Sequence, residues 1–378
     1  MSAGPGRLHE RAAEGGKSLV WNPKDVNLVP NFNCLLTVLR RDGVPDRVPL
    51  FELKVDNEVI EAVLGQPLTD PALSGRDAIL ETRRRAVRFQ CNMGYDYLPF
   101  RLETGFTRQV RESADDTAEL SRGQRQWVNQ HTGVIASRSD MEAYPWPRGG
   151  LDEVLWEIEA VSSLLPDGMK LVARTSGVLE NAMWLMTYED LAMATIDDPS
   201  LVTDLFARVG ERLVEVHSAA AGHDAVGAML LGDDMGYKTQ TMFSPTMLRE
   251  HVFPWQKRLV DIAHAHDKPF ILHSCGNLEA IMDDLIDCVG IDAKHSFEDT
   301  ILPVAEFKRR YGNRVAVLGG VDVDFLCRHT EDEVRRYTRD IREACAPGGG
   351  YALGTGNSVT NYVPVANYRA MVQAGGKS

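Results

Sequence analysis

Eight short apolar runs, each followed by a longer amphipathic stretch, constrain the fold of this chain more than any other feature of its sequence. The runs occupy residues 47–53, 95–102, 169–176, 227–234, 269–275, 290–296, 314–320 and 349–355. Several are almost continuously apolar, which is typical of parallel strands buried on both faces. Eight strands alternating with helices predict an α/β protein with a (β/α)8, or TIM, barrel. An open doubly wound sheet is the alternative.

Three local signals predict where helices begin or end between these strands. Ser244-Pro245 predicts an N-cap followed by proline at the first helical position. Pro254 predicts a break in the helix that follows. Thr330 and Glu333 have the spacing of a capping box, so a helix should begin directly after Thr330.

The same rhythm predicts the domain organisation. Residues 1–46 form an N-terminal extension that we expect to be partly loose, and residues 47–378 form the barrel. Residues 104–145 interrupt the rhythm with alternating polar and apolar residues and turns. We interpret them as an antiparallel excursion after strand two, an inserted hairpin that could cover a site, contact a second copy in a homodimer, or be decoration.

Composition bears on partners and location. The chain has 41 Lys and Arg against 54 Asp and Glu, a net charge of −13, which argues against a nucleic-acid partner. It has no run of about 18 apolar residues, so we expect no membrane helix and no secretory signal. Its six cysteines are scattered, as in a cytoplasmic protein. Walker A, GxGxxG and GxSxG patterns are absent, so we expect no nucleotide cofactor.

Each apolar run turns polar at the same end, which is where a (β/α)8 barrel places its active site. Asp233 and His295 are candidate catalytic residues there, because each could handle a proton. Candidate substrate-binding residues are Glu52, Arg101, Arg174, Asp234, Tyr237, Asp322, Thr355 and Asn357.

Structural alternatives remain for the strongest of these candidates. Adjacent acids at a strand end face opposite ways, so one of Asp233 and Asp234 could cap a helix while the other is solvated. His295 could be a hydrogen-bonded core histidine. Arg174 would be costly to bury unless it met a carboxylate or another anion.

His273 and Cys275 form the sharpest local pattern. Residues two apart on a strand face the same side, so the imidazole and the thiolate could both bind one ion. Zinc accepts nitrogen and sulfur ligands. The alternative is a buried cysteine and a hydrogen-bonded histidine that happen to be two residues apart.

Four segments together resemble the uroporphyrinogen decarboxylase superfamily, and within it the corrinoid-linked methyltransferase-like branch. They read LLGDDMGYKTQTMFSPTMLREHVFPWQKRL, ILHSCGN, YGNRVAVLGGVD and GGGYALGTGNSV. The resemblance extends from about residue 47 to residue 374. It implies a (β/α)8 barrel, often a dimer.

The methyltransferases of this superfamily use zinc held by an HxC pair and by a distant cysteine near strand eight. His273 and Cys275 match the pair, but Thr355 stands near the third position and no cysteine follows Cys345. The resemblance therefore implies Zn²⁺ with a missing third ligand. The sequence also lacks a DxHxxG motif, so a corrinoid would arrive on a partner protein.

The third zinc ligand could be a carboxylate, because zinc accepts oxygen. Glu52, Glu103 and Asp233 are the candidates that the strand ends offer. Alternatively, Thr355 and Asn357 bind substrate only.

Three functions follow from these observations. The leading hypothesis is a zinc-assisted methyltransferase that moves a methyl group between a small methylated substrate, a thiol or a pterin and a corrinoid protein. A metal-independent, decarboxylase-like lyase that acts on a smaller carboxylate, with Arg174 as its anion anchor, is the second. The resemblance implies a tetrapyrrole as substrate only where arginines bind its carboxylates, and the matching segment PLFELKVDNEV, residues 49–59, has Lys54 but no arginine. The third is a non-catalytic subunit that binds a corrinoid protein.

Overall fold

We analysed a computed structural model that describes residues 29–376 except residues 109, 117 and 129–131. The strands are Tyr97–Arg101 (β1), Val110–Asp115 (β2), Gln124–Val128 (β3), Lys170–Ser176 (β4), Val226–Gly232 (β5), Phe270–His273 (β6), Ala293–His295 (β7), Ala316–Leu318 (β8) and Tyr351–Ala352 (β9). The α-helices are Phe32–Arg40 (α1), Asn57–Leu64 (α2), Gly75–Met93 (α3), Arg138–Ala143 (α4), Leu151–Ser162 (α5), Val178–Met186 (α6), Tyr188–Asp197 (α7), Pro199–Ala221 (α8), Pro245–Met247 (α9), Phe253–Ala265 (α10), Val304–Tyr311 (α11), Val323–Arg328 (α12), Glu331–Cys345 (α13) and Val365–Gly375 (α14).

Seven of the strands form one curled parallel sheet in the order β1-β4-β5-β6-β7-β8-β9. Helices connect the successive strands, so the α/β class is confirmed and the strand order follows the chain. The strands are apolar because helices cover one face and the interior of the curl covers the other; the first three residues of β6, for example, are fully buried. β2 and β3 pair with each other as an antiparallel ribbon between β1 and α4.

The first apolar run, residues 47–53, does not form a continuous eighth strand among the described residues. It is joined to the segment after β9 by the single parallel bridge between Leu50 and Leu353. Pro49 has no N–H to extend that pairing. On the other side, the Tyr97 hydroxyl bonds both the N–H and the carbonyl oxygen of Glu52, at 2.7 and 2.6 Å, so these groups do not pair with β1. The structure therefore shows a curled seven-stranded sheet in place of eight full strands.

The sheet register places the site. One lateral row consists of Ser176, Gly232, His273, His295, Leu318 and Ala352. Paired residues in a row point to the same side, so the two histidine rings lie next to each other inside the curl. Arg101 pairs with Arg174 on β1 and β4, and Arg174 faces the same side as Ser176. The interior therefore holds two imidazoles and the guanidinium of Arg174, whereas Arg101 lies at the exposed rim.

The helix signals are confirmed except at Pro254. The Thr330 side chain caps α13 in a complete capping box with Glu333, and the Ser244 side chain caps α9. The predicted break at Pro254 is wrong, since a π-helical turn, Leu248–Val252, runs directly into α10. The wider turn accommodates a proline that cannot donate a backbone hydrogen bond.

The structure describes only part of the segment before the barrel, residues 1–46. Residues 1–28 lie outside the described residues. Within 29–46, helix α1 buries Phe32, Leu35 and Leu39 and is therefore packed in the core. Its first N–H donates to the carbonyl of Gly168 at 2.8 Å. Helix α1 is an ordered part of an extension that we expect to be only partly loose, and that expectation stays a prediction. None of the described helices is both long enough and apolar enough to cross a membrane.

Candidate functional site

Three possible metal-binding side chains converge where β5 and β6 end. His273 Nε2 lies 3.5 Å from the Cys275 sulfur and 3.6 Å from Asp234 Oδ1. All three donor atoms lie within 4.8 Å of one another. The expected pair of His273 and Cys275 is therefore brought together, and Asp234, expected to contact substrate, stands beside it.

Backbone hydrogen bonds hold the two loops that carry these residues. The Cys275 N–H donates to Asp234 Oδ1 at 2.8 Å, and the Gly236 N–H donates to the Cys275 carbonyl at 3.1 Å. Gly276 has a φ of +81° and packs on Gly236, where a Cβ would come within 2.2 Å of backbone. Only glycine satisfies both the conformation and the space, so the HSCGN segment forms a turn that keeps Cys275 against Asp234.

The hydrogen bonds assign the tautomers of the two histidines. His295 Nε2 lies 3.2 Å from the carbonyl oxygen of Thr355, which can only accept, so His295 carries its proton on Nε2. Its Nδ1 must then accept from His273 Nδ1, 2.7 Å away. His273 Nε2 is left without a proton, and its lone pair faces the Cys275 thiol 3.5 Å away, so it is free to bind an ion in place of that contact. This is the arrangement of a metal-binding histidine oriented by a neighbour.

Both imidazoles are neutral. Burial lowers the pKa of His295 to about 3, with Lys294 adding to the effect. Burial and the neighbouring His295 hold the pKa of His273 well below its ordinary value. A neutral ring is the form that binds a metal ion. His295 thus orients His273, and both of its ring nitrogens are engaged.

Two hydrogen-bond donors approach the sulfur of Cys275 from other loops. Asn357 Nδ2 lies 3.3 Å from it and Ser296 Oγ lies 3.5 Å from it. Burial, followed by the charge of Asp234, raises the pKa of the Cys275 thiol. An ion bound here would offset that effect, since a coordinating thiol is deprotonated outright.

Glu52 belongs to a buried network behind the site. Its carboxyl group bonds the N–H of Thr355, at 2.9 Å, and the Thr355 hydroxyl. That hydroxyl also lies 2.6 Å from the carbonyl oxygen of Asn357. Burial raises the pKa of Glu52 to about 8. A protonated Glu52 can donate to Thr355 Oγ1, which then donates to Asn357, so every group is satisfied.

We expect Glu52→Gln to remove part of the pH dependence of folding. The pKa of Glu52 is about 8 in the folded chain against an ordinary 4.5, so wild-type stability should fall as pH rises between these values. Glutamine imitates the protonated acid. At pH 8 the variant should be more stable by about 4 kcal/mol. Urea unfolding at pH 5 to 8 measures this, with exposed Glu211→Gln on α8 as control. Parallel profiles for wild type and Glu52→Gln would contradict it.

Asp233 faces away from the three donor atoms. Its carboxylate accepts the N–H groups of Val178 and Glu180, each at 3.0 Å, and the Gln256 amide at 2.8 Å. Burial raises its pKa to about 6. Asp233 therefore ties the end of β5 to the first turn of α6.

The remaining carboxylates considered as metal ligands also lie elsewhere. Glu52 is bound to Thr355, and Glu103 lies 3.2 Å from Arg101 at the exposed rim. The oxygen donor that the structure places beside His273 and Cys275 is Asp234.

Arg174 is a largely buried cation. Burial lowers its pKa to about 10, and repulsion from Arg101 contributes. Among the described residues no carboxylate lies within ion-pair distance of it. Both arginines line a groove with an apolar floor that includes Leu53 and Leu98. Gln90 lies in the same groove, and its buried Oε1 has no partner among the described residues.

Two expected substrate contacts occupy other positions. Asp322 caps α12 by accepting the N–H groups of Asp324 and Phe325. Tyr237 is 69% exposed on the loop after β5, where its carbonyl accepts the N–H of Asn277. Neither side chain has a hydrogen bond to the Asp234–His273–Cys275 group among the described residues.

Sequence reasoning missed Glu180, Lys294 and Ser296. Glu180 lies in the first turn of α6, where burial and the charges of Asp234 and Asp233 raise its pKa well above the ordinary value. Lys294 had a visible signal, because a lysine inside the apolar run GIDAKHS is unusual for a buried strand. Ser296 had none.

The sequence matches the model of a known protein family. The sequence model described as uroporphyrinogen decarboxylase (URO-D) matches residues 127–377. The chain belongs to the uroporphyrinogen decarboxylase family. The match includes Asp234, His273 and Cys275, whereas Glu52 lies before it.

Within this family the similarity is to methyltransferases. The chain is 27% identical over 175 residues to the methylcobamide:CoM methyltransferase MtaA of Methanosarcina barkeri. The same identity is found for MtaA from strain Fusaro and for a second MtaA sequence of this species. The match spans 46% of this chain and about half, 49%, of that relative. A methyltransferase from Methanosarcina mazei has the same fold, with a TM-score of 0.67, 17% identity, and coverage of 90% of this chain and 96% of the other.

Proposed function

We propose that the protein is a methyltransferase that moves a methyl group between a small substrate and a corrinoid carried by a separate protein. The observation that carries the proposal is the convergence of Asp234, His273 and Cys275 with the lone pair of His273 Nε2 left free. The similarity to MtaA, whose name specifies a methylated cobamide and the thiol CoM, supports the reaction class.

The three donors fit zinc. Zinc binds sulfur, nitrogen and carboxylate oxygen, and catalytic zinc sites have three protein ligands with one position open. Asp234 supplies the oxygen where the resemblance predicted a cysteine, so the site does not need Thr355 as a ligand. Bound zinc would supply Lewis acidity and lower the pKa of a thiol or other group that joins it.

Residues around the site would orient the metal ligands and set the charge on the Cys275 sulfur. His295 holds His273 through Nδ1, and Thr355 holds His295 through its carbonyl oxygen. Asn357 donates to the Cys275 sulfur and limits the charge that accumulates there. We assign Asp233 a positioning role, because its carboxylate is taken up by the start of α6.

Arg174 and Arg101 are proposed to bind an anionic group on the small substrate. A largely buried guanidinium that has no carboxylate within ion-pair distance among the described residues favours a ligand that brings a negative charge. The apolar floor of the groove suits a carbon skeleton attached to that anion. Asn357, beside the Cys275 sulfur, would contact the substrate nearer the metal. Substrate contacts by Tyr237 and Asp234 stay predictions from the sequence.

The second candidate is a metal-independent lyase acting on a carboxylate. Arg174 favours it equally well, because a carboxylate would pair with the same guanidinium. The lyase makes no use of the free lone pair on His273. Four expectations stay predictions from the sequence: a binding subunit without activity, a homodimer, a cytoplasmic location and a barrel unit of residues 47–378.

A methyl-transfer assay tests the proposal. The zinc-loaded protein is incubated with cob(I)alamin and a panel of methylated carboxylates, sulfonates and uncharged analogues. We expect methylcob(III)alamin to form with an anionic member, visible as a change in the corrinoid absorption spectrum. Release of CO2 without methylcobalamin would favour the lyase. Inactivity in both assays, with a stable corrinoid-protein complex, would favour the binding subunit.

A further inference from the structure

We propose that Ser296, held in place by Lys294, is a positioning residue that fixes the electronic state of the Cys275 sulfur through an O–H···S hydrogen bond. The inference rests on the proposed function, because it treats Cys275 as a metal ligand. It concerns two residues at the end of β7 that make no contact with the other two candidate ligands in the described structure.

Ser296 has a strained backbone. Its φ is +90°, in the region that favours glycine, and it is one of four non-glycine residues with positive φ among those described. Such strain persists where the surroundings impose it, often at functional sites. Here the conformation directs the Ser296 hydroxyl to the Cys275 sulfur, 3.5 Å away.

Contacts on both sides impose this conformation. The next N–H, that of Phe297, donates to the Gly356 carbonyl at 2.8 Å. The Ser296 carbonyl accepts a 2.5 Å hydrogen bond from Lys294 Nζ, which also lies 3.4 Å from the carbonyl of His295. The peptide group that follows Ser296 is therefore bound at both its N–H and its oxygen.

Lys294 is held by two backbone carbonyls and two aromatic rings, with no acidic partner among the described residues. Its side chain is buried, and its ammonium group lies 4.4 Å from the ring centre of Phe297 and 5.5 Å from that of Phe307. No carboxylate among the described residues forms an ion pair with it. Burial lowers the pKa of Lys294 to about 8, and negative charge at Cys275 and Asp234 opposes that effect.

The consequence for the sulfur follows from simple electrostatics. A thiolate that accepts hydrogen bonds donates less charge to a metal, and Ser296 and Asn357 are the two side chains among the described residues that donate to it. They come from the loops after β7 and β9, whereas His273 ends β6, and Asp234 and Cys275 lie in the loops after β5 and β6. Ser296 thus links the state of the metal ligand to a loop that carries no ligand.

Cobalt-substituted protein provides the test, because the sulfur-to-cobalt charge-transfer band reports on the sulfur itself. Ser296→Ala removes the hydroxyl and keeps the strain, while Ser296→Gly removes both. We expect both variants to shift the band to longer wavelength, and to change Co²⁺ affinity by roughly tenfold in a chelator competition. Exposed Ser163→Ala, on the far end of α5, is the matched control and should match wild type.

Lys294→Met tests the second half of the inference. Methionine fills the same space without the ammonium group, so the Ser296 carbonyl loses its donor. We expect a shift in the same direction, and a shift in Lys294→Met/Ser296→Ala that is smaller than the sum of the two single shifts, because both changes disturb one hydrogen bond. An additive double variant would overturn the role given to Lys294.

The outcomes separate this inference from the proposed function. If wild type shows the sulfur-to-cobalt band and neither Ser296→Ala nor Ser296→Gly shifts it, the role of Ser296 is overturned. The metal site then stays intact. A wild-type protein that binds Co²⁺ without any sulfur-to-cobalt band, or does not bind it, overturns both. A shifted band in both variants supports the proposal.

Discussion

Replacing Cys275 by serine should remove bound zinc and lower kcat/KM for methyl transfer about a thousandfold. The sulfur lies within 4.8 Å of the other two donor atoms and is the softest ligand of the three, so serine cannot take its place. Loss of a Lewis acid worth several kcal/mol corresponds to a rate effect of about 10³. The assay is methylcobalamin formation, with zinc measured on the same samples.

Cys288→Ser is the matched control for this experiment. Cys288 is exposed on the π-helical turn Asp284–Val289, away from the site, and its replacement should change neither activity nor metal content. The account is contradicted if Cys275→Ser retains methyl transfer within a few fold of wild type while folding normally.

Arg174→Met should raise KM for an anionic substrate and lower kcat/KM by about 10² or more. Removing one partner of a buried charge pair costs about 2–5 kcal/mol, which corresponds to factors of roughly 30 to several thousand. Arg174→Lys should recover part of the loss, because lysine supplies charge without the planar pair of donors. Steady-state kinetics with the substrate found in the methyl-transfer assay provide the measurement.

Two controls give the Arg174 result its meaning. Arg249→Met removes a surface guanidinium that pairs with Asp284 at 2.8 Å, and it should leave the kinetics unchanged. Zinc content should be the same in Arg174→Met as in wild type. Equal KM values for wild type and Arg174→Met would exclude an anion anchor, and loss of zinc would show that the variant disturbs the metal site.

The fold was largely predictable because strand burial leaves a direct trace in sequence. Seven of the eight apolar runs became strands of the parallel sheet, within a few residues at each end. The run at residues 47–53 failed because pairing depends on what lies beside it: Tyr97 uses its hydroxyl to take up the backbone groups of Glu52. The π-helical turn before Pro254 likewise depends on packing that a proline rule does not contain.

The site was predictable to the extent that strand periodicity applies to it. His273 and Cys275 share a side because they are two residues apart, and the sequence showed this. The choice between Asp233 and Asp234 could not be made, since both follow the same strand and the outcome depends on α6, whose N–H groups claim Asp233. Ser296 could not be identified, because a positive φ on serine is imposed by the chain on either side of it.

Elemental mass spectrometry on the wild-type protein, purified after growth in zinc-replete medium, tests the central claim most directly. We predict close to one zinc per chain, retained on dialysis against buffer and removed by a strong chelator together with methyl transfer. Protein that is folded and active but contains no zinc or other transition metal would contradict the assignment of Asp234, His273 and Cys275 as a metal site, and would leave Arg174 as the centre of a metal-independent reaction.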